Sequence, residues 1–179
     1  SDFDLNPEVV LPPARKLCPA AVLIAVCDAP GGARVILTKR SSRLKHHPGQ
    51  IALPGGKIDT GDGGPEAAAL REAQEEVGLA PSSVRVLGRL PAHETVTGYS
   101  VTPVLGHVRD VFFPIPEEGE VEEIFMVPLD FLMTPAHYRV EKRLWRGDWR
   151  RYYAVPFGPY YIWGATARIL RGMCDRLVP

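Results

Sequence analysis

Residues 53–79 read LPGGKIDTGDGGPEAAALREAQEEVGL, a glycine-rich loop that runs directly into an acidic segment. Pro65 suits the first position of a helix and Gly78 the position just beyond its last turn, so the pattern predicts a helix over 65–77. The alanines between them favour helix intrinsically. Upstream glycines permit positive φ angles and let backbone amides approach a phosphate closely, which suits the loop to an anionic ligand.

The acidic residues of this helix lie close together. Glu72, Glu75 and Glu76 occupy a turn and a half, where residues three or four apart share a face. Their charges repel one another, which a solvated face tolerates and a bound divalent cation would relieve; carboxylate oxygens suit Mg²⁺ or Mn²⁺. An acidic turn alone is more typical of a solvated face. The glycine loop before it favours a site for metal and phosphate.

The chain has 179 residues and an ordinary globular composition, which predicts one folded domain, 20–179, behind an N-terminal lead-in segment, 1–19. Lys plus Arg and Asp plus Glu number 21 each, so no overall field would hold the chain on nucleic acid or on a membrane. The three cysteines are widely spaced, and the N-terminus shows no targeting pattern. We therefore expect a cytoplasmic protein with reduced thiols.

Hydrophobic patterning predicts the remaining elements. The proline-containing lead-in is expected to hold one short helix, and a second major helix is predicted over 164–177. Strands combined with two major helices indicate an α/β or α+β fold. The predicted strands cover 20–27, 34–40, 84–90, 101–108 and 122–128, with two more near 151–163.

The loop and helix together resemble the Nudix box, which runs Gly, five residues, Glu, seven residues, then Arg-Glu-apolar-x-Glu-Glu-x-Gly-apolar. The first half of that pattern is altered here: Asp62 replaces the Glu that should follow Gly56, and eight residues rather than seven separate Asp62 from Arg71. The alteration leaves the role of Asp62 open. The second half is matched at every specified position, by Arg71, Glu72, Ala73, Glu75, Glu76, Gly78 and Leu79.

The altered first half resembles the coenzyme A diphosphatase branch of the Nudix family, which often has GG-x5-D and the additional residue. That branch also carries a pattern similar to L-L-T-x-R-S-x3-R-x3-G-x3-F-P-G-G immediately upstream. Residues 36–56 follow it, with Lys45 in place of the second Arg and Leu53 in place of the Phe. The likeness extends over roughly residues 20–172.

The resemblance implies an α/β/α sandwich with a mixed central sheet, and hydrolysis of a diphosphate linkage by water. In this family the glutamates of the box hold Mg²⁺ or Mn²⁺. Glu72, Glu75 and Glu76, together with Gly56, are therefore the expected metal site.

Catalysis in the family also depends on residues around the ligands. Arg71 is expected to orient the ligand carboxylates. Nudix enzymes often recruit one more glutamate from a loop beyond the box, as a metal ligand or as the base for water. In the acidic stretch 117–123, Glu120 and Glu123 are the two candidates, beside Glu75 and Glu76 in the helix.

Basic residues ahead of the glycine loop predict anion recognition. Arg40 offers a planar fork to a phosphate and Lys45 a point charge, so both are expected to bind substrate together with Gly55 and Gly56. Coenzyme A has a 3′-phosphate besides its diphosphate, which would give this cluster a target. A solvated basic loop is the alternative.

The expected products are 3′,5′-ADP and 4′-phosphopantetheine or its acyl derivative. Two other functions stay open: hydrolysis of another nucleotide such as ADP-ribose, a dinucleotide or a nucleoside triphosphate, and nucleotide binding without catalysis. The intact glutamates of the box argue against the second. Trp163, with Tyr160 and Tyr161, is expected to pack in the core or on an edge strand rather than to stack on adenine. Monomer and homodimer both stay open.

Overall fold

The computed structural model describes residues 1–9, 15–145 and 147–177, and a mixed sheet of eight strands lies at its centre. The central strand β1 (Cys18–Cys27) pairs antiparallel with β2 (Arg34–Arg40). On its other edge it runs parallel to β7 (Tyr99–Val108) over its full length. The remaining strands of this sheet are β3 (Ile51–Ala52), β4 (Gly55–Lys57), β5 (Val84–Arg89), β6 (His93–Glu94) and β8 (Val121–Pro128).

Two long helices cover the sheet, and a hairpin stands beside it. The helix α1 (Pro65–Val77) follows the glycine loop, and a single turn, α2 (Leu129–Leu132), follows β8. The hairpin consists of β9 (Arg139–Trp145) and β10 (Asp148–Ala154), and leads to the last helix, α3 (Gly164–Leu177).

The alternation of side chains along β1 creates two separate cores. Leu23 and Ala25 belong to the core that includes the alanines of α1. Ala20 and Ile24 belong to the core that includes α3. Leu23 and Ile24 are fully buried on opposite faces, and each contributes roughly 1.5–3 kcal/mol. Helices therefore lie on both faces of a mixed sheet, which confirms the predicted sandwich.

Most predicted elements are confirmed, with ends shifted by one or two residues. The second strand predicted near residue 163 is wrong: after β10 the chain forms only isolated bridges, between Phe157 and Tyr160 and between Ala154 and Trp163. The segment contains Pro156, Gly158 and Pro159, which favour a turn over a strand. Strand β9 was not predicted, because its mostly charged sequence gives little hydrophobic signal.

The N-terminal residues pack against the body of the fold. Residues 1–9 form turns. The short helix was expected somewhere in 1–19, and residues 10–14 of that segment lie outside the described residues. The side-chain amide of Asn6 donates from Nδ2 to the backbone carbonyl of Arg151 at 3.0 Å, and its Oδ1 accepts from the backbone N–H of Arg151 at 2.8 Å. In the described part of the chain, no helix is both long and apolar enough to cross a membrane.

Candidate active site

Helix α1 sets the direction of the acidic side chains. Ala69 and Ala73 are fully buried against the sheet, and Glu76 continues this inward stripe with 5% of its surface exposed. The side chain of Glu75, one residue earlier, is 58% exposed. The helix ends at Gly78, which adopts a left-handed φ of 75° and donates its N–H to carbonyls of the last turn. Neighbouring glutamates of one motif thus lie in very different environments.

Strand β4 requires glycine at two positions. A Cβ on Gly55 would collide with the backbone of β1 at Ala21 and Val22. A Cβ on Gly56 would collide with the carboxylate of Glu72. The glycine loop therefore enters between the central strand and α1, in direct contact with an acidic side chain.

Glu76 is buried among polar groups of both signs. Its Oε2 accepts a hydrogen bond from the Gly55 N–H at 3.2 Å, and its Oε1 lies 4.0 Å from the Arg40 guanidinium. Burial, together with the charges of Glu72 and Glu120, raises the pKa of Glu76 to about 7 despite these contacts. Ionising this carboxylate is costly unless a cation lies beside it.

Arg71 ties the glycine loop to the helix. Its Nε and Nη2 donate to the two carboxylate oxygens of Asp62, each at 3.0 Å, in a bidentate pair. Its Nη1 donates to Glu72 at 2.9 Å and to Glu75 at 3.0 Å. The hydrogen bond from Arg71 lowers the pKa of Asp62, as does the N–H of Asp59. Asp62 therefore holds the Arg71 guanidinium in place.

The donor set fits a hard divalent cation, although its side chains are not arranged around one. Across residues 1–9, 15–145 and 147–177, no three His, Cys, Asp or Glu side chains are already close enough together to hold a metal ion. Arg71 is bound to both Glu72 and Glu75 instead. Burial raises the pKa of Glu72, and the charges of Glu75 and Glu120 add to that rise. Crowded carboxylates of this kind are the ligands that Mg²⁺ and Mn²⁺ prefer.

The two glutamates beyond the box lie in different places. Glu120 is near enough to the helix for its charge to raise the pKa of both Glu72 and Glu76. Glu123 lies on strand β8, where its Oε1 accepts a 2.5 Å hydrogen bond from the Tyr160 hydroxyl. The structure brings Glu120, and not Glu123, to the carboxylates of α1.

The predicted basic residues are also separated. Arg40, at the end of β2, reaches Glu76, while the backbone of Arg40 closes the loop 41–49 through hydrogen bonds to Gln50 and Gly49. Lys45 lies exposed in that loop, which we call the basic loop, and has no acidic partner among the described residues. The two residues were predicted to form one cluster. In the fold, Arg40 lies at the carboxylates, whereas Lys45 lies in the exposed basic loop.

A cavity of about 570 Å³ lies beside the basic loop. Its lining consists of residues 48–51, residues of the aromatic segment 159–163, and Lys39 and Glu123. Sequence patterns do not indicate this cavity, because its walls are distant from each other in the chain. The expectation that Tyr160 packs is confirmed by its stacking on Phe125 at 3.6 Å between ring centroids, but Tyr160 also lines the cavity.

Comparison with known proteins agrees with this geometry. The NUDIX domain matches residues 17–145, which is most of the chain. The chain is 44% identical to the uncharacterised Nudix hydrolase NudL of Citrobacter koseri over 154 residues, covering 85% of this chain and 79% of that protein.

Solved structures show the same fold. The Nudix hydrolase RenU of M. smegmatis matches with a TM-score of 0.54 and 29% identity, over 63% of this chain and 71% of that one. The MutT protein of Methanosarcina mazei matches with a TM-score of 0.57 over 91% of this chain and 96% of that one. Its 17% identity makes it a likeness of fold alone.

Proposed function

This chain belongs to the Nudix family of hydrolases, enzymes that act on diphosphate bonds, and we propose that its substrate is coenzyme A or an acyl-coenzyme A. Water would split the diphosphate to give 3′,5′-ADP and 4′-phosphopantetheine or its acyl derivative. The observation that carries this proposal is the buried carboxylate group of α1, with Arg40 beside it and the basic loop next to Arg40. The three free cysteines support a reducing, cytoplasmic setting.

Glu72, Glu75 and Glu76 would hold the divalent cation, with Gly56 in contact with the same site. When bound, Mg²⁺ or Mn²⁺ supplies neutralisation of the diphosphate charge and a more acidic attacking water. Glu72 and Glu75 would have to turn away from Arg71 to act as ligands. Asp62 would then keep the guanidinium in place through its bidentate pair.

The chain also supplies a phosphate contact and a proton acceptor. Arg40 would turn its guanidinium to the diphosphate, where a planar fork can bind two oxygens. Glu120 is our choice for the base that takes the proton from water, because it is exposed and its charge reaches Glu72 and Glu76. Glu123 accepts a hydrogen bond from Tyr160 and does not act as the base in this mechanism.

A turnover screen tests the substrate. Coenzyme A, ADP-ribose, dinucleotides and nucleoside triphosphates would be incubated with Mg²⁺ and with Mn²⁺, and the products separated by chromatography. We expect the highest kcat/KM for coenzyme A or an acyl derivative. A higher value for ADP-ribose or a dinucleotide would contradict the substrate, and no turnover of any of them would favour a nucleotide-binding module.

The base is tested by the dependence of rate on pH. Glu120→Gln should remove the acidic limb of the pH profile of kcat, while Glu123→Gln should keep it. If both variants keep full activity and the same profile, the proton goes to a glutamate of the helix or to bulk water.

A further inference from the structure

The cavity beside the basic loop has the size and position of a substrate subsite. Its volume, about 570 Å³, lies within the roughly 300–1,000 Å³ typical of small-molecule pockets. Lys39 lines it and precedes Arg40, which reaches Glu76. Successive side chains of a strand point to opposite faces, so a molecule with its diphosphate at the carboxylates would pass around the end of β2 to extend an attached group into the cavity.

Contacts with the β9–β10 hairpin hold the aromatic wall in place. The Tyr161 hydroxyl donates to Glu141 at 2.9 Å. The Arg143 guanidinium lies 4.9 Å from the centre of the Trp163 ring, and the ring of Tyr152 meets it edge-on at 5.2 Å. Rings already fixed by the protein can stack on a planar base at small entropic cost.

Glu123 gives the cavity a hydrogen-bond acceptor. Tyr160, itself stacked on Phe125, donates to Oε1 of Glu123 at 2.5 Å, and among the described residues Oε2 has no hydrogen-bond donor. An ionised carboxylate can only accept hydrogen bonds and repels phosphate. The ligand group that fits beside it carries an N–H donor and no negative charge.

Positive charge lies at the rim instead. Pro48 and Gly49 line the cavity and belong to the basic loop, which also carries Arg43 and Lys45. Both cations are exposed, and neither has an acidic partner within the described residues. A nucleoside with a phosphate on its ribose would use the rings, the acceptor and this charge together. A neutral pantetheine arm would leave the charge unused.

We propose that this cavity binds the adenine base of the substrate, with Trp163 and Tyr161 against the ring and Glu123 accepting from the exocyclic amino group. The ribose phosphate then lies toward the basic loop. The assignment rests on the proposed function in taking coenzyme A as the substrate, and it gives Trp163 and Glu123 roles in specificity.

Calorimetric binding of the two product halves tests the site without turnover. Trp163→Leu should weaken the binding of 3′,5′-ADP by about 10-fold and leave 4′-phosphopantetheine unchanged. Trp149→Leu is the matched control, because Trp149 is a tryptophan of the neighbouring β9–β10 hairpin that has 61% of its surface exposed and does not line the cavity. An unchanged dissociation constant for 3′,5′-ADP, or weakened binding of phosphopantetheine instead, would overturn the assignment.

A second variant keeps the test independent of any damage from removing Trp163. The unaltered protein should bind 3′,5′-ADP about 10-fold more tightly than its hypoxanthine analogue, which lacks the amino group. Glu123→Ala should remove that preference. Equal binding of the two nucleotides by the unaltered protein would overturn the role of Glu123.

The results also separate this site from the substrate proposal. Binding of 3′,5′-ADP that depends on Trp163, in a protein that does not turn over coenzyme A, supports the cavity assignment and contradicts the substrate. Turnover of coenzyme A that is indifferent to Trp163 and Glu123 contradicts the cavity assignment alone.

Discussion

The carboxylate side of the site and the cavity side are built in different ways. On the carboxylate side, one continuous segment of chain supplies Gly56, Asp62, Arg71 and the glutamates of α1, and hydrogen bonds join them across the loop. On the cavity side, the lining combines residues 48–51 and 159–163 with Lys39 and Glu123, and nearly all of these residues are partly or fully exposed. This difference suggests that the first side determines the rate of the chemistry and the second the choice of substrate.

The largest effect is expected from Glu76→Gln. A neutral amide is a poor ligand for Mg²⁺, so kcat should fall by several orders of magnitude with the fold intact. The melting temperature without metal should stay the same or rise, since the substitution removes a buried charge. Glu66→Gln, on the same helix but bonded to Arg89, should keep normal kcat. Near-normal turnover by Glu76→Gln would show that the metal assignment is wrong.

The burial of Glu76 also predicts how stability depends on pH in the metal-free protein. Its folded pKa of about 7 lies above the ordinary value of 4.5, so between these limits the folded state binds more protons than the unfolded state. The free energy of unfolding should therefore fall as pH rises from about 4.5 to 7, by an amount of the order of 1–3 kcal/mol. The charged groups around Glu76 are Glu72 and Glu120, which raise its pKa, and Arg40, which lowers it.

Denaturant titrations at several pH values would measure this slope. Glu76→Gln should be less dependent on pH over the same interval. If Glu76→Gln keeps the full dependence of the unfolding free energy on pH, another titrating group is responsible for that dependence.

A smaller effect is expected from Asp62→Asn. The amide cannot form the bidentate ionic pair with Arg71, so the ligand carboxylates lose their support and kcat should fall by about 10- to 100-fold. Asp59→Asn is the control, because Asp59 lies 3.6 Å from Arg71 with 70% of its side chain exposed and should have little effect. Equal kinetics for the two variants would remove the special role of Asp62.

The carboxylate side and the cavity side also differ in how far they could be predicted from the sequence. The glycine loop and α1 could be predicted because their signals lie within one short segment, and Pro65 and Gly78 mark the helix ends. The metal-binding role of the glutamates of α1 stays a prediction. The contact between Asp62 and Arg71 required the structure, since only the path of the loop shows that the two side chains meet. The cavity could not be predicted, because its lining combines residues more than 100 positions apart, such as Gln50 and Trp163.

The most direct test of this division is the ratio of kcat/KM for coenzyme A to that for dephospho-coenzyme A, which lacks the 3′-phosphate. The unaltered enzyme should favour coenzyme A by about 10-fold, because a phosphate at the basic loop gains a charge-assisted contact. Lys45→Ala should reduce this ratio, while Glu120→Gln should lower both rates and leave the ratio unchanged. A ratio near one in the unaltered enzyme, or a ratio that changes with Glu120 and not with Lys45, would contradict the account.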